Sequence, residues 1–351
     1  MDYLERITQY LPPLNKQQLP AIALGLSTAA LLTYALKPRY EAERAPCTLP
    51  GLSNVPPSYA KDLALHLYPV DYFEGGQWVN LPYGRTRVWI MGPEDGQKVV
   101  LVHGFQVPAI VLKDMATHLV GAGFRVLTYD LYGRGHSDYV DLPYSATLFS
   151  TQLALVLQAV GWTKPALVGY SMGGSIVTAF ADQFPHVAGE HIVLLASAGL
   201  QKPGEFALRN RLMTSRLGMA IVSSSVFRWF ANLIVGPRSS PSLPPIPQDT
   251  AKRTEIINLQ TVVLPGYMRA LASSVMYGPM CNQRQSFIEL SSRKVLIICG
   301  TEDTSCPIRM SEEINQLAKG SKLVAIKKGS HFIPVTHTDQ VAGAIASFLR
   351  E

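Results

Sequence analysis

A glycine–serine–glycine motif at a strand-to-helix junction constrains the fold more than any other stretch of the chain. An apolar, β-favouring run, 166–168, leads into Gly169-x-Ser171-x-Gly173, and a helix-like run, 175–184, follows. This spacing is typical of a nucleophile elbow, a sharp turn that lifts one serine hydroxyl above the edge of a sheet. Glycines are needed on both sides of Ser171 because a Cβ atom would clash in so tight a turn. The N-terminus of the following helix favours developing negative charge beside the serine.

Strand-like and helix-like segments alternate along most of the chain. After a predicted hairpin over 78–91, the predicted strands are 98–102, 125–129, 166–169, 192–196, 294–298 and 323–326. The predicted helices between and after them are 108–120, 148–160, 308–317 and 339–349. Such alternation is typical of an α/β fold with a mostly parallel central sheet and crossover helices on both faces.

One long stretch interrupts this alternation and divides the predicted domain. Residues 200–290 contain helix-like segments and a Pro-rich break instead of strands, and an insertion of this length is usually functional. We predict that it forms a cap or lid on a core made of 75–199 and 291–351. The Pro-rich residues 37–74 are predicted to be a linker that leads into the core.

An uncharged run near the N-terminus predicts attachment to a membrane. Residues 19–36 contain no charged side chain and are followed by Lys37 and Arg39. We predict a membrane anchor after a polar N-terminal segment, 1–18, although the run is at the short end of the ~20 residues that a spanning helix needs. A cleaved secretory signal and a buried or capping helix are the alternatives. Basic residues after the run favour a cytosolic catalytic domain, on a single-pass protein of the endoplasmic reticulum or a similar membrane.

The charge and the cysteines exclude several classes of protein. The chain has 351 residues and a formal net charge of +6, without a Lys/Arg run, a zinc-ligand spacing or a phosphate-binding loop. No nucleic-acid partner, metal or organic cofactor is therefore expected. Residues 200–284 alone carry ten basic and three acidic side chains, which indicates either a solvated surface or attraction to anionic lipid or an acidic substrate. The four cysteines are widely spaced, as reduced thiols would be.

Three residues that follow predicted strands could form a catalytic triad. The hydroxyl of Ser171 is a poor nucleophile unless a neighbouring base takes its proton, and His331, after the last strand, is the candidate base. A buried carboxylate must hold the imidazole in the correct tautomer, and Asp303, after an earlier strand, is the candidate acid. The adjacent Glu302 is its rival.

The same chemistry needs hydrogen-bond donors for an oxyanion. The backbone N–H of Met172, next after the serine, is one candidate donor, and that of Phe105, in the loop after an early strand, is the other. His103 and Gly104 are expected to shape that loop, with His103 bracing it through hydrogen bonds. His136 lies in the run 133–137, which is interpreted as a structural turn, although a further role for this histidine in the site stays open.

These motifs together resemble those of the α/β-hydrolase-fold serine hydrolases, which include monoacylglycerol lipases and small-ester hydrolases. The resemblance covers about residues 75–350, and the order Ser, Asp, His matches that family. The motifs that carry it are His103-Gly104-Phe105, the run 130–138, Gly169 to Gly174, Gly300 to Asp303 and Gly329 to Phe332. The resemblance implies that Asp303, a few residues before Pro307, is the acid, that 200–290 is a lid, and that the anchor is like that of membrane-bound monoacylglycerol hydrolases. Cys306 departs from the usual aliphatic residue and is expected to serve packing.

The expected function is hydrolysis of a lipophilic carboxylic ester, such as a monoacylglycerol, through an acyl-enzyme on Ser171. The fold hosts many reactions, so alternatives with the same three residues stay open. They are a thioesterase, a cofactor-free haloperoxidase-like or C–C bond hydrolase, and a tailoring hydrolase or acyltransferase of specialised metabolism. A non-catalytic scaffold of the same fold is a further alternative, and no oligomeric state is predicted.

Overall fold

A computed structural model describes residues 48–202 and 249–351, together with 215, 217–218, 221 and 224 between them. The predicted N-terminal segment and anchor, 1–36, and most of the inserted stretch before residue 249 lie outside the described residues. Within the part that is described, no helix has both the length and the apolar composition needed to cross a bilayer.

Eight strands form one mostly parallel sheet, and two very short strands pair beside it. In chain order the strands are β1 Thr48–Leu49, β2 Gly76–Leu81, β3 Gly84–Met91, β4 Lys98–Val102, β5 Arg125–Tyr129, β6 Tyr139–Val140, β7 Ala166–Tyr170, β8 His191–Leu195, β9 Lys294–Gly300 and β10 Lys322–Ile326. The order across the sheet is β10-β9-β8-β7-β4-β5-β3-β2, and β1 pairs with β6. The neighbours from β10 to β5 are parallel, whereas β3 is antiparallel to both β5 and β2.

Helices cover both faces of this sheet. In chain order they are α1 Tyr59–Leu67, α2 Lys113–Gly121, α3 Ala146–Val160, α4 Met172–Gln183, α5 Asp249–Val263, α6 Tyr267–Tyr277, α7 Arg284–Glu289, α8 Ile308–Leu317, α9 Ile333–Thr336 and α10 Thr338–Leu349. One buried apolar cluster joins one sheet face to α1, α2 and α10, and a second joins the other face to α3, α4 and α8. Strands buried on both faces are continuously apolar, as Val99 to Val102 illustrate. The predicted fold class, an α/β-hydrolase fold with a mostly parallel sheet, is confirmed.

The order of the strands creates a crevice at the carboxyl end of β4. From β4 the chain passes to β5 on one side, and it later returns to β7 on the other side. In open α/β sheets, such a reversal leaves a gap above the strand ends in which ligands bind. The loops that follow β4 and β7 contain Phe105 and Ser171, so both candidate functional segments border this gap.

The prediction that residues 37–74 form a linker is wrong for the residues that the structure describes. Helix α1 lies within that range, and Ser58 caps it by accepting a hydrogen bond from the Lys61 N–H at 3.1 Å. Leu63 and Leu67 are buried in the core. Their spacing is that of an amphipathic helix, which the surrounding prolines obscured in the sequence.

The predicted helix over 108–120 divides into two pieces. A short 3₁₀ helix, Ala109–Leu112, comes first, and α2 continues from Lys113. The other predicted strands and helices of the sheet region agree with the structure to within three residues at each end, as expected of boundary assignments.

Candidate active site

Ser171 stands at the sharp turn between β7 and α4. Its φ of 55° is a strained conformation for a residue with a side chain, and such strain is typical of functional turns. Its N–H donates to the carbonyl of Leu195 at 2.9 Å, which ties the turn to the neighbouring strand. A Cβ at Gly173 would lie 2.1 Å from the carbonyl oxygen of Val102, and one at Gly169 would lie 2.2 Å from that of Gly173. The turn therefore needs glycine at both motif positions.

His331 comes from the loop after β10 and reaches the serine. Its Nε2 lies 3.0 Å from the Oγ of Ser171. The hydroxyl of Tyr170 donates to the backbone carbonyl of His331 at 3.1 Å, and the two rings lie 5.3 Å apart. Tyr170 thus anchors the histidine loop to the serine turn, a contact that the sequence motif alone did not indicate.

Asp303 follows β9 and faces the other imidazole nitrogen. Its Oδ2 lies 2.8 Å from the Nδ1 of His331, and its side chain is fully buried. Its Oδ1 accepts the backbone N–H groups of Ser305 and Cys306, both at 2.8 Å. Because a carboxylate only accepts, Nδ1 of His331 carries the proton, and Nε2 can accept the serine proton. Glu302, the rival acid, is exposed.

Both candidate oxyanion donors border Ser171. Met172 opens helix α4, so its N–H has no acceptor within the helix. Gly104 lies so close to the serine that a Cβ there would be 3.1 Å from the Cβ of Ser171. Phe105 follows directly and lines the same cavity as Ser171. The N–H groups of Met172 and Phe105 could together stabilise the oxyanion of a tetrahedral intermediate.

His103 is a buried, neutral brace for the loop after β4. Its Nε2 accepts the N–H of Leu131 at 2.9 Å, so its Nδ1 carries the proton and donates to the carbonyl of Gly104 at 2.9 Å. Burial lowers the pKa of His103 to about 3, which excludes the charged form near neutral pH. Its hydrogen bonds are those expected of a bracing residue.

The run 130–138 forms a buried network behind this loop. Asp130 accepts the N–H of Ala109 at 2.9 Å and that of His136 at 2.8 Å, together with the hydroxyl of Tyr68 at 3.0 Å. Burial raises the pKa of Asp130 to about 7 and lowers that of His136 to about 3. The Nδ1 of His136 lies 2.6 Å from the Oγ of Ser53. These contacts agree with a structural role for His136.

Arg134, in the same run, was not singled out from the sequence. Its side chain is fully buried, and within the described part of the chain no carboxylate pairs with it. Its guanidinium lies among aromatic rings. The guanidinium carbon is 5.4 Å from the ring centroid of Tyr144, 5.6 Å from that of Phe149 and 6.0 Å from that of Phe105. Burial lowers the pKa of Arg134 to about 10, so it still carries its charge at neutral pH. The sequence did contain a signal for this residue, because Arg134 is a charged residue between two glycines in a turn at the sheet edge.

A cavity of about 550 Å³ opens beside the serine. Most of its wall is apolar, including Val107, Ile257, Val275, Met280, Met310 and Phe332. Cys306 also borders it, and burial raises the pKa of this thiol, so it is a weak nucleophile. Among the described cysteines, Cys299 and Cys306 are free thiols. The described residues contain no group of three or more His, Cys, Asp or Glu side chains placed to bind a metal ion.

The model of one protein family matches the part of the sequence that contains the candidate active site. The sequence model described as "Alpha/beta hydrolase family" matches residues 99–344. This span includes all of β4 except Lys98, together with the serine turn, Asp303 and His331.

Individual proteins are similar over comparable lengths. A putative non-heme chloroperoxidase from Synechocystis sp. is 25% identical over 272 residues, which are 73% of this chain and 92% of that protein. A bifunctional esterase/perhydrolase from Acinetobacter calcoaceticus is 22% identical over 278 residues, 74% of this chain and 94% of that protein. The solved structure of a bacterial membrane phospholipase A has a TM-score of 0.61 at 18% identity and covers 96% of this chain and 98% of its own. The last likeness concerns the fold alone.

Proposed function

The chain belongs to the alpha/beta hydrolase family, and from that premise we propose that it is a serine hydrolase that cleaves carboxylic esters of lipophilic acyl groups. The triad of Asp303, His331 and Ser171 carries this proposal. Contacts of 2.8 Å and 3.0 Å join the three side chains in the order that proton transfer requires.

The first half-reaction acylates the serine. Ser171 Oγ attacks the ester carbonyl carbon while His331 Nε2 takes the hydroxyl proton, and Asp303 stabilises the resulting imidazolium. The N–H groups of Met172 and Phe105 bind the oxyanion of the tetrahedral intermediate. When the intermediate collapses, the bond to the alkoxy oxygen breaks, and His331 gives its proton to the departing alcohol.

The second half-reaction releases the acid. Water gives a proton to His331 Nε2 and attacks the acyl carbon, and the tetrahedral intermediate forms again in the same oxyanion site. Collapse breaks the bond to Oγ, and the histidine proton returns to Ser171. All proton transfers use this chain's own residues.

The cavity supports a lipophilic acyl group. Its volume of about 550 Å³ lies within the range of small-molecule sites, and its wall is mostly apolar. Helices α5 and α6 contribute Ile257 and Val275, which agrees with a cap over 200–290 that selects the substrate. The uncharged run 19–36, predicted as an anchor, supports an ester drawn from a membrane, monoacylglycerol-like in its acyl group.

A second candidate function is perhydrolysis. One relative is described as an esterase/perhydrolase and another as a putative non-heme chloroperoxidase. In this reaction hydrogen peroxide gives a proton to His331 Nε2 and attacks the acyl carbon in place of water. Collapse of the intermediate breaks the bond to Oγ, the proton returns to Ser171, and a peracid is released. The same three residues perform both reactions, so only the acceptor differs.

Covalent labelling with a fluorophosphonate tests the proposal. Wild type should be labelled, and Ser171→Ala should lose the label because phosphorus bonds to Oγ. Ser197→Ala is the matched control: its buried hydroxyl donates to the Ala198 carbonyl behind the turn, and its loss should leave labelling intact. A series of p-nitrophenyl esters should then show kcat/KM rising with acyl length. Well-folded wild type that neither labels nor cleaves esters would refute the proposal, and peracid formation with added hydrogen peroxide would favour the second candidate.

A further inference from the structure

The loop after β4 is tied to α5 and α6 through two of its carbonyl oxygens. The carbonyl of Phe105 accepts a hydrogen bond from the Nε of Arg134 at 3.1 Å. The next carbonyl, that of Gln106, accepts from the hydroxyl of Tyr267 at 2.9 Å and from the Nε2 of Gln260 at 3.3 Å. Tyr267 opens α6, and Gln260 lies on α5, so both come from the stretch predicted as a cap.

Arg134 joins the same loop to α6 from a second side. Its Nη2 donates to the Oγ of Ser274 at 2.8 Å, and its Nη1 donates to the carbonyl of Tyr132 at 3.0 Å. Ser274 in turn donates to the carbonyl of Ala270 one helical turn earlier, at 2.7 Å. A guanidinium is planar, so it fixes the relative positions of all the oxygens it binds.

Gln260 closes the network. Its Oε1 accepts the N–H of Gly135 at 2.8 Å, while its Nε2 reaches the loop after β4. Both amide ends are therefore used, and the side chain is fully buried. The run 130–138, the loop after β4 and the two helices thus form a single hydrogen-bonded unit. Satisfied buried networks of this kind rigidify the segments that they join.

The position of this loop matters because it carries a candidate oxyanion donor. The loop passes close to the serine, since a Cβ added at Gly104 would lie 3.1 Å from the Cβ of Ser171. Movement away from the serine would lengthen the hydrogen bond from the Phe105 N–H to the oxyanion. Donors act there only within a narrow range of distance, and misplacement reduces the rate steeply.

We propose that Arg134, Tyr267 and Gln260 are positioning residues that hold the Phe105 N–H donor against the oxyanion. Helices α5 and α6 then contribute to the rate through the loop as well as by lining the cavity. This inference rests on the proposed function, because it assigns a task to the oxyanion site of the same reaction.

Tyr267→Phe tests the inference with the least change to packing. The variant keeps the ring and removes the hydroxyl that holds the Gln106 carbonyl. We expect kcat to fall about tenfold with KM unchanged, because the lost interaction acts on the transition state. Affinity for a trifluoromethyl ketone, to which Ser171 adds to give an anionic hemiketal, should fall by the same factor. Affinity for an unreactive ether analogue of the substrate should not change.

Tyr139→Phe is the matched control. It also removes a tyrosine hydroxyl, which donates to Asp141 at 2.8 Å and has no hydrogen bond to the loop. Tyr139 packs against Gly266, next to α6, so the two variants alter the same region. The control should keep wild-type kcat and ketone affinity. A general loss of helix stability would instead affect both variants alike.

Hydrogen exchange gives a readout that does not depend on turnover. The backbone amides over 103–107 should exchange faster in Tyr267→Phe and in Ser274→Ala than in wild type or Tyr139→Phe. Unchanged exchange, kcat and ketone affinity in folded Tyr267→Phe would overturn the inference. Wild type without labelling or esterase activity would refute the proposed function alone, since exchange would still decide whether α5 and α6 hold the loop.

Discussion

Replacing Asp303 with asparagine should reverse the tautomer of His331. The Oδ1 of Asp303 accepts two backbone N–H groups at 2.8 Å, so an asparagine must place its amide oxygen there. Its NH₂ group then takes the position of Oδ2, 2.8 Å from Nδ1 of the imidazole. Because that group donates, Nδ1 becomes the acceptor and the ring proton moves to Nε2, which faces Ser171.

The expected loss follows from this geometry. A histidine that presents an N–H to the serine cannot take the serine proton. Replacing the aspartate of a Ser-His-Asp triad with asparagine lowers kcat about ten-thousandfold. This factor corresponds to roughly 5 kcal/mol of transition-state stabilisation. Folding should change little, because both backbone N–H groups keep an acceptor and the side chains have nearly the same shape.

The assay is kcat for a short p-nitrophenyl ester, with thermal unfolding of each variant measured in parallel. Glu302→Gln is the matched control, since Glu302 is the adjacent carboxylate and is exposed. It should retain full activity. A kcat for Asp303→Asn within tenfold of wild type, or a thousandfold loss in Glu302→Gln, would refute the assignment of the acid.

Two further predictions concern stability. Burial lowers the pKa of His103 and of His136 to about 3, whereas unfolded histidine titrates at ~6.5. The stability that depends on keeping these two histidines neutral should therefore be fully present above pH ~6.5 and should fall towards pH 3 by at most about 1.4 kcal/mol per pH unit for each residue. Buried Asp130, whose pKa is raised to about 7, has the opposite effect between about pH 4 and pH 7, so the contribution of each histidine is measured by its own variant. His136→Gln should flatten the pH dependence of the urea midpoint, and an unchanged slope would contradict this reasoning. Gly173→Ala should destabilise the fold by about 3 kcal/mol or prevent folding, because its Cβ would meet the carbonyl of Val102 at 2.1 Å. Gly343→Ala, on α10 with nothing within 4 Å of the added carbon, is the control, and thermal unfolding of both would show whether the clash is real.

The fold could be predicted because its signals are local and repeated. The strands β4, β7, β8 and β9 are continuous apolar runs, and each is followed by a helix-like segment or a loop with turn residues. Parallel strands present their carboxyl ends at one edge of a sheet. The three candidate triad residues each follow a parallel strand, and their side chains meet at that edge.

Residues 37–74, which lead into the core, were mispredicted because the local signal of their helix is weak. Helix α1 is only nine residues long and lies among prolines, so composition outweighed its apolar spacing. Its stability comes from burial of Leu63 and Leu67 against the core, since isolated helices of this length are marginal in water. The predicted anchor, 19–36, lies outside the described residues and stays a prediction.

By itself, the sequence determined what depends on neighbours along the chain: the alternation of strands and helices, the glycines of the serine turn, and the segments that bear the candidate residues. The resemblance to the family already favoured Asp303 over Glu302. The physical difference between the two was decided by the tertiary structure, because the fold directs Asp303 inwards to His331 and leaves Glu302 in water. The partners of Arg134 were likewise decided there. Phe105 and Ser274 are 29 and 140 residues away in sequence. Hydrogen bonds act over about 3 Å and local periodicity describes only adjacent turns, so contacts between distant segments exist only once the sheet has brought them together.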